Sequence, residues 1–370
     1  MAPLIDNNVN SLFEFVVRDG KGVKGLVDLG ISTVPEQYIQ PPKERISLEK
    51  LAVIGPAHQP IDLSGLDGPN RDEVVEAIVH AAETLGFFQV VNHGVPLRVL
   101  DTLKDTAHMF FAQEAEKKAI YLKEVSPSPL VKYGTSFLPE KERALEWKDY
   151  ISMMYTNDDE ALQQWPDNCK EVVLEYLKAS NILVRKLVEI LIQRLESKRE
   201  VPDGLIGLKM VNMNFYPACP NPELTVGVGR HSDMGTITVL LQDGIGGLYV
   251  KLEQETNDHE FEHEPQWMEI PPVDGALVIN IGDSLQILSN GKYKSAEHRV
   301  RTTSKESRVS IPVFTAPHPT YRIGPLPELV KLDGVARYKE VLFGDYMKNF
   351  FGNTHDGKKS LEFARVDDSP

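Results

Sequence analysis

His231-Ser232-Asp233, residues 231–233, decides how the second half of this chain is read. In an extended segment the side chains at i and i+2 leave the same face, so the imidazole and the carboxylate point one way. Both are metal-ligating groups, and a third donor must come from a distant strand. His298 supplies it from within 296–301, a run with strand composition. Two imidazoles and one carboxylate occupy one triangular face of a hard-to-borderline ion and leave the opposite face open. That is the donor set of a non-haem Fe(II) oxygenase centre and not of a closed structural cage. A lone His-x-Asp is weak evidence, because a surface histidine beside a turn aspartate is much commoner.

The residues beyond His298 strengthen that assignment. Arg308-Val309-Ser310 places a guanidinium and a hydroxyl two residues apart, on one side of a strand, where together they can grip a distal carboxylate. An open metal with a carboxylate clamp beside it implies a keto-acid cosubstrate. Upstream, Tyr216 in Asn214-Phe215-Tyr216-Pro217 is either a phenolic donor to that carboxylate or a core tyrosine ending a strand at a proline. Cys219, two residues beyond Pro217, has no base beside it and reads as a packed, inert thiol.

Outward from these motifs, the chain after Gly207 breaks into short β-rich runs at 209–215, 237–242, 248–252, 267–270, 277–281, 296–301 and 308–315. Gly, Pro and Asn punctuate them, as in an antiparallel sandwich or barrel. The first half is different. Helical spacing marks 71–85, 95–111 and 171–195, where Val173, Leu177, Leu183, Leu187 and Leu191 line one side, with a short strand at 59–63 and a buried one at 87–91. One amphipathic helix is expected near the start, then an arm carrying Pro41-Pro42, and helix returns at 336–351. The fold class is mixed α and β: an N-terminal arm and helix at 1–58, a helix-rich region at 59–200, a β core at 201–320, and a C-terminal helix and tail at 321–370.

The chain has 370 residues, enough for a large buried core. Its formal charge of −14, from 40 basic and 54 acidic residues, argues against a nucleic-acid or anionic-membrane surface. No apolar run approaches the roughly 20 residues that cross a bilayer, and the start lacks a basic leader with an apolar core. With two cysteines, Cys169 and Cys219, the expectation is a reducing compartment, the cytoplasm, and no obligate protein partner.

Taken in order, Gly86-Phe87-Phe88-Gln89-Val90-Val91-Asn92-His93-Gly94, Asn214-Phe215-Tyr216-Pro217-Ala218-Cys219-Pro220, His231-Ser232-Asp233, Asn280-Ile281-Gly282-Asp283, Leu288-Ser289-Asn290-Gly291 and His298-Arg299 resemble the plant 2-oxoglutarate and Fe(II)-dependent dioxygenases. The likeness runs from about residue 55 to about 355. Val131-Lys132-Tyr133-Gly134-Thr135-Ser136-Phe137, Glu146-Trp147-Lys148-Asp149-Tyr150 and His355-Asp356-Gly357-Lys358-Lys359 narrow it to the coumarin-pathway hydroxylases. The resemblance implies a double-stranded β-helix, or jelly-roll, core. It implies Fe(II) on His231, Asp233 and His298, and 2-oxoglutarate on Tyr216, Arg308, Ser310 and Asn214. Dioxygen is then the second cosubstrate and ascorbate the supporting reductant.

The partner implied is a small aromatic substrate, scopoletin or the thioester feruloyl-CoA. For its pocket the candidates are Tyr133, Thr135, Phe137, Lys148, Met213 and Phe314. Phe137 and Phe314 can equally be core, and Lys148 either meets a phenolate oxygen or pairs with Asp149 at the surface. Coenzyme A needs several cations for its phosphates, and no compact Lys/Arg cluster lies near the motifs, which tilts the choice toward the free coumarin. A non-catalytic ligand-binding jelly roll would show a missing iron ligand or a broken clamp, and neither is missing. The acidic stretch 253–264 is about ten residues longer than the family's turn. Its His259 and His263 read as part of a solvated hairpin loop and not as a second metal site.

Overall fold

A computed structural model of the chain describes residues 9–46, 51–52, 59–196, 200–252 and 266–366. The acidic stretch with His259 and His263 lies outside them. The strands are β1 Leu51–Ala52, β2 Ile61–Asp62, β3 Phe87–Val91, β4 Val131–Thr135, β5 Asp149–Tyr155, β6 Leu208–Tyr216, β7 Val228–His231, β8 Ile237–Gln242, β9 Leu248–Lys251, β10 Trp267–Glu269, β11 Leu277–Ile281, β12 His298–Val300 and β13 Arg308–Ala316. An eight-stranded sheet runs β2-β3-β11-β8-β13-β6-β5-β4, and a five-stranded sheet runs β1-β10-β9-β12-β7. Pairing is antiparallel except for β1 with β10 and β2 with β3. This is the jelly roll, with helices packed on one side of its larger sheet.

Alternation along the strands sorts the large sheet into two faces. Val309, Ile311 and Val313 of β13, Val239 and Leu241 of β8, and Val211, Met213 and Phe215 of β6 join one apolar cluster with the helices. The helix Lys170–Leu195 supplies Val173, Leu177, Leu183, Val184, Leu187 and Leu191 to it, at the spacing that puts them on one stripe. Burying each such side chain stabilises by about 1.5–3 kcal/mol. The opposite face carries Arg308, Ser310, Thr238, Gln242, Asn214 and Tyr216. Near Tyr216 it meets the small sheet through Val228, Leu248, Val250, Met268, Val278 and Val300. Polar residues on an inward strand face therefore mark the mouth of the roll.

The N-terminal arm docks on β5. The helix Gly22–Asp28 aims its first amides at a buried carboxylate, with Val23 N and Lys24 N donating to Asp149 at 2.8 and 2.9 Å. Leu12, Val16, Val23, Leu26 and Tyr38 pack around Trp147 beside it.

Two elements depart from expectation. The last long helix is Phe343–Gly352, because the residues before it are taken by a two-stranded pair, Arg322–Ile323 with Val341–Leu342. The strands β4 and β5 extend the large sheet from within the region expected to be helix-rich, so that sheet crosses the expected boundary at residue 200. Among the described residues no helix is long and apolar enough to cross a membrane.

Candidate active site

β7 and β12 are antiparallel neighbours with His298 opposite His231, which brings the two rings to 4.2 Å between centroids. Asp233, just past the end of β7, places Oδ1 at 3.7 Å from His231 Nε2 and 3.8 Å from His298 Nε2. All three ligand atoms lie within 4.8 Å of one another, close enough for one ion. Each histidine turns Nδ1 to a main-chain carbonyl, His231 to Gly229 at 2.9 Å and His298 to Ala296 at 3.2 Å. A proton on Nδ1 serves those bonds and leaves both Nε2 lone pairs for a metal. Burial, with His298 and His355 adding to it, holds the His231 imidazole well below the ordinary histidine range, so the ring is neutral as a ligand must be. The second Asp233 oxygen accepts from Thr238 Oγ1 at 2.7 Å and from Asn280 Nδ2, which fixes the carboxylate's rotation.

On the same face of the large sheet, Arg308 pairs with Tyr216, and Ser310 lies between Asn214 and Gln242. Arg308 is 1% exposed. Its Nη2 donates to Gln242 Oε1 at 3.0 Å, and its guanidinium carbon stands 5.1 Å from the centre of the Tyr216 ring. Its Nε and Nη1 meet no protein acceptor among the described residues. A buried guanidinium left half-bonded costs several kcal/mol unless an anion completes it, and the planar fork matches a carboxylate. The donor set and these orphaned N–H groups thus fit Fe(II) with a dicarboxylate cosubstrate.

The substrate candidates separate by strand parity. Phe314 is directly opposite Thr238, whose hydroxyl holds Asp233, so it shares the metal's face of the sheet. Met213 and Tyr133 do not. Both belong to the helix-packed cluster, because Asn212 and Asn214 take the other face of β6 and Met213 falls between them, opposite Ile151. Thr135 is also structural in its contacts: its hydroxyl donates to Lys148 O at 2.7 Å. Phe137 stacks on His355, 4.1 Å between centroids.

Lys148 is buried and pairs with Glu146 at 3.0 Å, not with Asp149 at the surface. Asp149 faces the arm, since neighbours on a strand point oppositely. Burial works against both charges, yet the Lys148 ammonium and His355 outweigh it and hold the Glu146 carboxyl down at about 2.

Thr238, Gln242, Asn280, Glu146 and His355 are the site residues the sequence reading left without a role. Asn280, Glu146 and His355 stand in the motifs that carried the family likeness. Thr238 and Gln242 were detectable only as polar residues on an otherwise apolar strand.

The chain belongs to the 2OG-Fe(II) oxygenase superfamily: that family's model matches residues 208–317, and the model described as "non-haem dioxygenase in morphine synthesis N-terminal" matches 59–168. It is accordingly an Fe(II)- and 2-oxoglutarate-dependent dioxygenase that takes O2 as its other cosubstrate. Among individual proteins it is 65% identical to scopoletin 8-hydroxylase of Arabidopsis thaliana, over 96% of this chain and 98% of that one. It is 49% identical to a bi-functional coumaroyl CoA and feruloyl CoA ortho-hydroxylase of Ipomoea batatas, over 97% and 98%. The crystal structure of JOX2 in complex with 2OG, Fe, and JA is similar with a TM-score of 0.77 and 31% identity, over 93% of this chain and 97% of that chain.

Proposed function

We propose that this enzyme hydroxylates free scopoletin at C8 to give fraxetin. The observation that carries the proposal is the gap in identity, 65% to the scopoletin 8-hydroxylase against 49% to the CoA-ester ortho-hydroxylase, both over nearly the whole chain. The chemistry of the pocket agrees with it. A planar phenol asks for an apolar wall and one polar group to orient it, which Phe314 and Lys148 can offer. Lys148 has its charge balanced by Glu146, so it is one paired cation and not a phosphate-binding cluster of the kind coenzyme A requires.

In this reading His231, Asp233 and His298 hold Fe(II), and Arg308, Ser310 and Tyr216 hold the far carboxylate of 2-oxoglutarate, with Asn214 beside Ser310. Bound there, the iron and its keto acid supply the oxidising chemistry, in which one oxygen atom of O2 enters the coumarin and the other leaves in succinate as CO2 is lost. Thr238 and Asn280 keep Asp233 from rotating, and Gln242 aims the Arg308 fork. Phe314, on the metal's face of the sheet, gives the substrate ring an apolar surface to lie against.

The test is a side-by-side assay of scopoletin and feruloyl-CoA with Fe(II), ascorbate and 2-oxoglutarate, the product located by mass and by NMR. Scopoletin should gain one oxygen at C8. Turnover of feruloyl-CoA with scopoletin untouched overturns the proposal in favour of the ortho-hydroxylase reading.

A further inference from the structure

One carboxylate outside the ligand set reaches the metal ligand His231 by two routes. Glu146, just upstream of β5, is 3% exposed. Its Oε1 accepts from Gly229 N at 2.8 Å, and the carbonyl of that same residue faces His231 Nδ1 at 2.9 Å. The same oxygen lies 2.6 Å from His355 Nδ1, and the His355 ring covers the His231 ring with centroids 4.4 Å apart and planes 21° from parallel. Phe137 covers the other side of His355 at 4.1 Å and 13°, and itself meets Phe350 and Phe351. Lys148 Nζ holds Glu146 Oε2 at 3.0 Å.

The fit is close. A Cβ on Gly229 would stand 3.2 Å from the Cβ of His355, so the glycine gives the C-terminal segment its approach. That segment is fastened beside the ligand, with Gly357 N donating to Arg230 O at 2.9 Å.

A ring held by one hydrogen bond can still tilt about it. A parallel ring pressed on its face removes that freedom, and the pressure here comes from a sandwich whose middle member is tied to a buried carboxylate. Burying Glu146 and Lys148 to fill space would be a poor use of two charges, since apolar residues of like volume pack as well or better. Their arrangement is accounted for if they orient something. His355 is outside the group of ligand atoms that lie within 4.8 Å of one another, so it acts through His231 and not on the ion.

We propose that His355, held by Glu146 and backed by Phe137, is a positioning residue that fixes the plane of the iron ligand His231, so that the C-terminal segment sets the strength of Fe(II) binding. The proposal rests on the metal assignment above and is independent of the substrate.

The experiment compares His355→Leu with His355→Phe in the full chain. Leucine keeps bulk without a flat face, and phenylalanine keeps the face without ring nitrogens. Fe(II) affinity is measured without oxygen by calorimetry, with thermal unfolding as the check on folding. His355→Leu should weaken Fe(II) binding about tenfold, the usual scale for a group that orients a ligand, and His355→Phe, which keeps the flat face but loses the tie to Glu146, should weaken it by less. Wild-type affinity in both variants overturns the proposal. Equal weakening in both also overturns it, because a flat face against His231 would then contribute nothing. Failure of scopoletin turnover leaves these affinities unaffected, so the two readings fail separately.

Discussion

Arg308 shows how much one side chain can reveal. Its identity and its spacing from Ser310 announced a carboxylate clamp in the sequence, and its Nε and Nη1, without a protein acceptor among the described residues, give that clamp a direction. Replacing it by lysine keeps the charge but loses the fork and the contact with Tyr216. Arg308→Lys should raise the KM for 2-oxoglutarate by about 10–100-fold, the loss of one to two charge-assisted hydrogen bonds, while Fe(II) affinity stays close to wild type. An unchanged KM for 2-oxoglutarate contradicts the clamp. The ligands His231, Asp233 and His298 were legible for the same reason, since their chemistry is carried by residue type. Met213 and Tyr133 were not, because membership of a pocket depends on strand parity. A shift of one position moves a side chain from the metal's face of the sheet to the helix-packed side.

At the scale of elements, the turn after β4 is organised by a half-buried acid. Ser136 adopts a left-handed φ of 59°, and Glu142 accepts from the amides of Phe137 at 3.0 Å and Leu138 at 2.8 Å and from the Ser136 hydroxyl. Burial, helped by the neighbouring Glu146 charge, pushes the Glu142 carboxyl up to about 7. The folded state therefore holds a proton that the unfolded chain releases near the ordinary carboxyl value. This contribution is full below about pH 4.5 and is lost as pH rises through about 7. Urea unfolding across that window should show the wild type losing on the order of 1–3 kcal/mol more than Glu142→Gln, which keeps an acceptor for both amides and does not titrate. Parallel pH curves for the two proteins would dismiss Glu142 as the source. The helices and central strands were readable from periodicity, but β4 and β5 were not. Their alternation spans few residues, and their place in the sheet depends on pairing with β6, far along the chain.

For the whole molecule, the N-terminal arm and the C-terminal segment converge on one strand. Arg230, beside the ligand His231 on β7, bonds Glu44 of the N-terminal arm at 2.9 Å and Asp356 of the C-terminal segment, and Glu297 lies 3.6 Å away. The order of helices, then strands, then a closing helix was visible in composition. This convergence was not, since it joins residues more than 300 positions apart in a 370-residue chain. The jelly roll supplies a polar mouth, and the arm and tail meet beside it at Arg230. The site between them uses 2-oxoglutarate to place an oxygen atom from O2 on a coumarin. The most direct test is turnover of scopoletin under isotopically heavy dioxygen, with both products analysed by mass. One heavy oxygen is expected in the hydroxylated coumarin and one in succinate. A coumarin hydroxyl formed without the label, or succinate carrying none, contradicts that reaction.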